Sequence, residues 1–188
     1  MLRFAANIGR LFAEHPFMER FDRAAAAGFR AVEYPEPYGY DVRAIRSALT
    51  RNGLQQAQFN LPWGDLAAGE RGIAHDPRRR AEFRDNLERA LEVADLLECP
   101  RMICATGVGL PDVSPETQWG TIVENLRDAA ERAAGPGVRI LIEPLNYFDV
   151  PGYLVTTMAH AVRLLDEVGH DNLRIECDVY HMQRMEGI

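Results

Sequence analysis

Six short apolar runs alternate with helical patterns along this chain, and that alternation restricts the fold more than any other feature. The expected strands are Arg3–Asn7, Ala31–Tyr34, Gln55–Leu61, Arg101–Thr106, Arg139–Glu143 and Leu173–Asp178. The segments between them carry helix punctuation. Pro16 suits a first helical position, with Phe17, Phe21, Ala24 and Ala25 on one face and Gly28 as the stop. Asp41 caps a second helix whose face is Val42, Ile45 and Leu49, and Gly53 ends it. Asp76-Pro77 opens the third, with Phe83, Leu87, Ala90, Leu91, Ala94 and Leu97 at helical spacing. Ser114-Pro115 opens the fourth, over Ile122, Leu126 and Ala129. Thr156 or Thr157 starts the fifth, with Ala161, Leu164, Leu165 and Val168 before Gly169, and a last helix-forming run follows His181 to Ile188.

Strict β-α order implies parallel strands joined by crossover helices. A doubly wound open sheet and a (β/α)8 barrel both satisfy it. The open sheet usually carries a phosphate loop after its first strand, and Asn7-Ile8-Gly9-Arg10 is no GxGxxG. The expected strands end on Asn7, Glu33, Asn60, Thr106, Glu143 and Asp178. In a barrel these polar ends converge on one rim, where such folds place their chemistry. The expected fold class is therefore α/β, a (β/α)8 TIM barrel of which this chain supplies about six β/α units, as one incomplete domain over residues 1–188.

Composition narrows the partners. With 47% apolar and 26% charged residues, the chain can bury a core of its own. A net charge of −7 argues against a nucleic-acid or membrane-surface partner, because phosphate binding needs a positive face. No run approaches the roughly 18 consecutive apolar residues of a membrane span. Met1-Leu2-Arg3-Phe4 reads as the start of a strand and lacks the layout of a secretory signal. Cys99, Cys104 and Cys177 form no CxxC, so reduced thiols and a cytoplasmic location are expected.

Two of the strands end on acids one βα unit apart. Ile140-Leu141-Ile142 runs into Glu143, and Leu173-Arg174-Ile175-Glu176-Cys177 runs into Asp178, followed by Val179-Tyr180-His181. Such a pair suits a metal or proton-transfer site, while each acid could equally cap its following loop. The Gly-rich loop from Pro62 to His75 is longer than a usual βα connection and reads as a lid over that rim, or as a surface excursion. Within it, Arg71 is a candidate clamp for a substrate carboxylate, which a guanidinium binds in a fork.

Laid out in this way, the chain resembles the hydroxypyruvate isomerase family within the xylose isomerase-like superfamily. The matching stretches are Leu2–Asn7, Asn60–Asp65 with Gly69–Ala74, Leu141–Asn146, Phe148–Gly152 and Asp178–Gly187. The resemblance implies interconversion of hydroxypyruvate and tartronate semialdehyde by metal-assisted proton transfer through an enediolate. It implies a divalent cation, Mg²⁺ or Mn²⁺, and a small 2-oxo acid substrate, with a four-carbon 2-oxo acid as the alternative. By the same resemblance Glu143 is a metal ligand and acid/base group, Asp178 is a second ligand, and His181 contacts substrate. A complete barrel takes about 250 residues, and the family's strand-seven ligand and strand-eight glutamate have no counterpart here. The expectation is thus a truncated, inactive chain that self-associates through an open barrel edge, or a non-catalytic binding and assembly module. A zinc nuclease of the same superfamily is disfavoured by the acidic charge and the missing His-rich ligand set.

Overall fold

A computed structural model describes residues 2–187; the expected strand start at Met1 and the end of the last run at Ile188 lie outside them. Seven short strands form the inner layer: β1 (Ala6–Asn7), β2 (Ala31–Glu33), β3 (Gln55–Gln56), β4 (Phe59–Asn60), β5 (Arg101–Ile103), β6 (Arg139–Ile142) and β7 (Leu173–Ile175). Every pairing between them is parallel, and the spatial order is β1-β2-β3 and then β4-β5-β6-β7. A doubly wound sheet reverses its strand order at some point. Here, within each of the two runs, every strand pairs with its successor without reversal, which is the order of a (β/α) barrel. No helix among the described residues is long and apolar enough to cross a membrane.

Two strands differ most from expectation. Gln55–Leu61 is not one strand: Gln55–Gln56 pairs with β2, Phe59–Asn60 pairs with β5, and the partner changes at Ala57–Gln58. Side chains take over the hydrogen bonds there. Arg101 Nε donates to the Ala57 carbonyl (3.1 Å) and Gln56 Nε2 to the Gln58 carbonyl (2.7 Å). The first strand is only Ala6–Asn7 rather than Arg3–Asn7. Leu2 to Ala5 are exposed, and one flank of β1 has no strand beside it among the described residues, so nothing holds them in a ladder. The last three expected strands also stop early, which puts Glu143, Glu176 and Asp178 just past the ends of β6 and β7.

The helices form as local chemistry dictates: α1 (Arg20–Ala26), α2 (Val42–Asn52), α3 (Arg80–Leu97), α4 (Pro115–Ala134), α5 (Met158–Val168) and α6 (Val179–Met185). Asp41 Oδ1 accepts from the Arg43 and Ala44 amides, Ser114 Oγ from Thr117, and Thr157 Oγ1 from His160. Each bond satisfies an amide the first helical turn leaves without a partner. Pro16 and Asp76-Pro77 open single 3₁₀ turns, Phe17–Glu19 and Pro77–Arg79, that lead into α1 and α3. Between the layers Val32, Phe59, Met102, Ile140 and Ile142 meet Phe21, Leu49, Leu87, Leu126 and Leu164, all of them fully buried. Burying each such side chain contributes about 1.5–3 kcal/mol.

The loop from Pro62 to His75 has a fixed stem and an exposed tip. Gly64 to Gly69 face solvent, whereas Gly72 to Asp76 are buried. Glu70 is the latch: its Oε2 accepts from the Asp65 amide (2.6 Å) and its Oε1 meets Arg79 (2.5 Å). Asn125 Nδ2 holds the Ala74 carbonyl at 2.8 Å. Gly72 lies at φ +97°, and a Cβ there would overlap the carbonyl of Ala105, a backbone atom that cannot rotate away. Gly72→Ala is therefore expected to destabilise the fold by roughly 2–3 kcal/mol in urea or thermal melts. A change within experimental error would show that the stem is not seated against the strand end.

Candidate active site at the carboxyl ends of the strands

A cavity of about 860 Å³ opens at the carboxyl ends of the strands. Its walls bring together residues far apart in sequence: Asn7, Glu33, Gln58, Asn60, Glu143, Glu176, Asp178 and His181, with Trp63 and Arg71 contributed by the long loop. Glu143 and His181 are each 15% exposed at the side chain, and Asp178 is 36% exposed. His181 Nε2 stands 3.8 Å from Glu143 Oε1 and 3.9 Å from Asp178 Oδ2. One ligand atom from each of the three lies within 4.8 Å of the others.

Asp178 does two things at once. Its Oδ1 caps α6, accepting from the Tyr180 and His181 amides at 2.7 and 3.3 Å, while Oδ2 is the oxygen nearest His181 Nε2. The cap also aims His181: one turn into α6, its ring comes back over the strand ends. Its Nδ1 is met by the backbone amide of Asn146 (3.0 Å) and by Asn146 Nδ2 (2.8 Å).

Burial pushes the Glu143 carboxyl up to about 8, and the neighbouring Glu176, Asp178 and Glu33 push the same way. Glu176 is also raised, by burial first and then by Glu33 and Asp178, against the lowering effect of a hydrogen bond from Gln58. Gln58 Nε2 spends both its hydrogens on acids, donating to Glu33 Oε2 (2.8 Å) and Glu176 Oε1 (2.7 Å). The groups acting most strongly on Glu143 are thus burial and other acids, a setting that a bound cation would relieve. Two carboxylates with a free oxygen between them are the donor set a hard dication prefers, so the residues present fit a divalent metal.

Arg71 lines the same cavity, its guanidinium 5.8 Å above the Trp63 ring, with Nη1 donating to the Glu70 carbonyl (2.7 Å). Of the four residues singled out from sequence, three cluster tightly and Arg71 stands on the wall. Sequence reasoning missed Gln58 and Glu176 as cavity residues. Glu176 was visible only as part of an acid-bearing strand end, and Gln58 gave no signal, being one glutamine in a stretch read as plain strand.

The comparisons with known proteins agree with this fold. Residues 21–187 match the xylose isomerase-like TIM barrel family, and the chain belongs to that family. It is 46% identical to hydroxypyruvate isomerase of Escherichia coli (strain K12) and 44% identical to 2-oxo-tetronate isomerase of Cupriavidus necator. Each alignment spans the whole of this chain and 72% of the relative. Among solved structures, one described as an AP endonuclease, family 2, from Brucella melitensis superposes with a TM-score of 0.96 at 42% identity, covering all of this chain and 72% of the other. An Escherichia coli 3-keto-D-glucoside 4-epimerase, at 21% identity and TM-score 0.80, shares the fold.

Proposed function

We propose that this chain carries acid/base and metal-binding residues of a keto-acid isomerase site acting on hydroxypyruvate or a four-carbon 2-oxo acid. The observation that carries the reading is the cluster of Glu143, Asp178 and His181 at the strand ends, in a chain whose curated relatives are isomerases of those two substrate classes. Glu143 and Asp178 would hold a divalent cation, Mg²⁺ or Mn²⁺. When bound, that cation supplies positive charge against the negative charge that develops on an enediolate.

Hydroxypyruvate becomes tartronate semialdehyde when a proton leaves C3, a proton is delivered to C2, and the hydroxyl proton passes from O3 to O2. Glu143 in its ionised form takes the C3 proton, leaving the electron pair in the C2–C3 bond of an enediolate. His181 hydrogen-bonds a substrate oxygen. Arg71, on the loop that lines one side of the cavity, receives the carboxylate.

A nuclease reading, suggested by the description of one structural relative, fits less well. The net charge is −7 and the cavity wall carries five acids, so a polyphosphate backbone would be repelled. The deciding experiment follows hydroxypyruvate by NMR in D₂O with Mg²⁺ or Mn²⁺ and the 188-residue protein. Deuterium should enter C3 well above the protein-free rate, because that exchange needs only one base. Exchange no faster than with metal alone would overturn the reading in favour of a non-catalytic binding module. In calorimetric titration, Mn²⁺ should bind weakly and depend on Asp178. Tight stoichiometric binding that survives Asp178→Asn would remove Asp178 from the ligand set.

A further inference from the structure

We infer that Asn146 is a positioning residue that fixes His181 as a neutral Nε2–H donor facing the acids, so that His181 binds an oxygen and is no metal ligand. The inference rests on the isomerase reading for its purpose but on hydrogen-bond geometry for its content. Asn146 is fully buried just past β6, and the direction of its side-chain amide is set by Asp149. The Asp149 amide donates to Asn146 Oδ1 at 3.0 Å, so that oxygen must be the acceptor. Nδ2 is therefore the donor end, and it reaches two acceptors, Asp149 Oδ2 at 2.9 Å and His181 Nδ1 at 2.8 Å. Asp149 is itself held as an acceptor, since the Tyr180 hydroxyl donates to the same oxygen at 2.6 Å. The backbone amide of Asn146 adds a second donor to Nδ1, at 3.0 Å.

Two N–H groups thus converge on one ring nitrogen. A proton on His181 Nδ1 would face both of them, so Nδ1 offers its lone pair and the ring proton resides on Nε2. Nε2 is the nitrogen turned toward Glu143 and Asp178. With its lone pair occupied by a proton, Nε2 can donate to a carbonyl or enediolate oxygen but cannot coordinate a cation. Of the three side chains whose atoms could surround an ion, only the two carboxylates then serve as ligands. The device needs a carboxamide at 146, an acid at 149 and a hydroxyl at 180, none of which the chemistry at Glu143 would otherwise require.

The test reads the tautomer directly. Long-range ¹H–¹⁵N correlation spectra of the uniformly ¹⁵N-labelled protein distinguish a protonated from a bare ring nitrogen. They are recorded in alkaline buffer, where free imidazole is neutral. The His181 signals are those that vanish in His181→Gln. The expected pattern is a protonated Nε2 and a bare Nδ1, unchanged on adding Mg²⁺. Asn146→Asp substitutes an acceptor for the donor opposite Nδ1 and should move the tautomer ratio toward Nδ1–H by roughly 10- to 100-fold, as expected for a hydrogen bond to a charged group. A protonated Nδ1 or an even mixture in the unaltered protein overturns the inference, with no dependence on whether the variant folds. An unchanged spectrum in folded Asn146→Asp also overturns it. Neither measurement uses substrate, so failure here is separate from failure of the isomerase reading, which the deuterium exchange judges.

Discussion

Replacing Glu143 with glutamine is expected to slow metal-dependent deuterium exchange at C3 of hydroxypyruvate by roughly 10²- to 10⁴-fold, the usual contribution of a positioned general base. The substitution keeps the shape and the burial of the side chain, which is 15% exposed one residue past β6. It removes the only property the proton transfer needs, an ionisable carboxylate, and with it one charged ligand. The loss should be larger than the general-base figure if the cation leaves as well. The pH profile adds a second check. Burial and the surrounding acids hold the metal-free carboxyl at about 8, so without a cation the basic form accumulates only as pH rises through that value. Positive charge beside it favours the ionised form, and the exchange rate should then climb at lower pH as Mg²⁺ is raised. Near-normal exchange in Glu143→Gln would mean that another group takes the proton.

The parts of this arrangement that were legible in the sequence are those set by neighbours in the chain. Asp41, Ser114 and Thr157 cap their helices through amides two or three residues away, and Gly53 and Gly169 end α2 and α5 in the left-handed region. Consecutive strand order follows from short crossovers, so the barrel was readable once the alternation was. What could not be read depends on contacts across the barrel. At the change of partner the Ala57 carbonyl is taken by Arg101, forty-four residues on. Gln58 faces Glu176 across 118 residues of sequence separation. The choice between a capping and a site role for Asp178 had no answer in one dimension, because one oxygen caps α6 while the other faces His181 across the fold. Asn146 was visible as part of a matching stretch, yet its bearing on His181 needs the return of α6 over the strand ends.

The same carboxylate that is proposed to do the chemistry should weaken the metal-free fold at alkaline pH. An unfolded glutamate titrates near its ordinary value, about 4.3, whereas folded Glu143 titrates at about 8. Between those values the native state holds a proton that the unfolded chain has released. The stabilisation is fully present below the unfolded value and is lost as pH rises through the folded one. Glu176, raised in the same direction, adds to the slope. Asp76 and Asp128, lowered by their arginine partners, contribute oppositely but do so at acid pH, outside this window. Allowing for relaxation around two facing acids, the loss for Glu143 should amount to a few kcal/mol, a large share of a total stability of about 5–15. Glu143→Gln has no proton to lose, so urea melts should find the variant more stable than the unaltered protein at about pH 9, with the gap closing at about pH 5. Added Mg²⁺ should restore the unaltered protein at alkaline pH and leave the variant largely unmoved, since charge on Glu143 then meets its partner. If the two proteins kept parallel stability curves across that range, Glu143 would have to be ionised in the fold throughout, and the acids around it would not be acting on it.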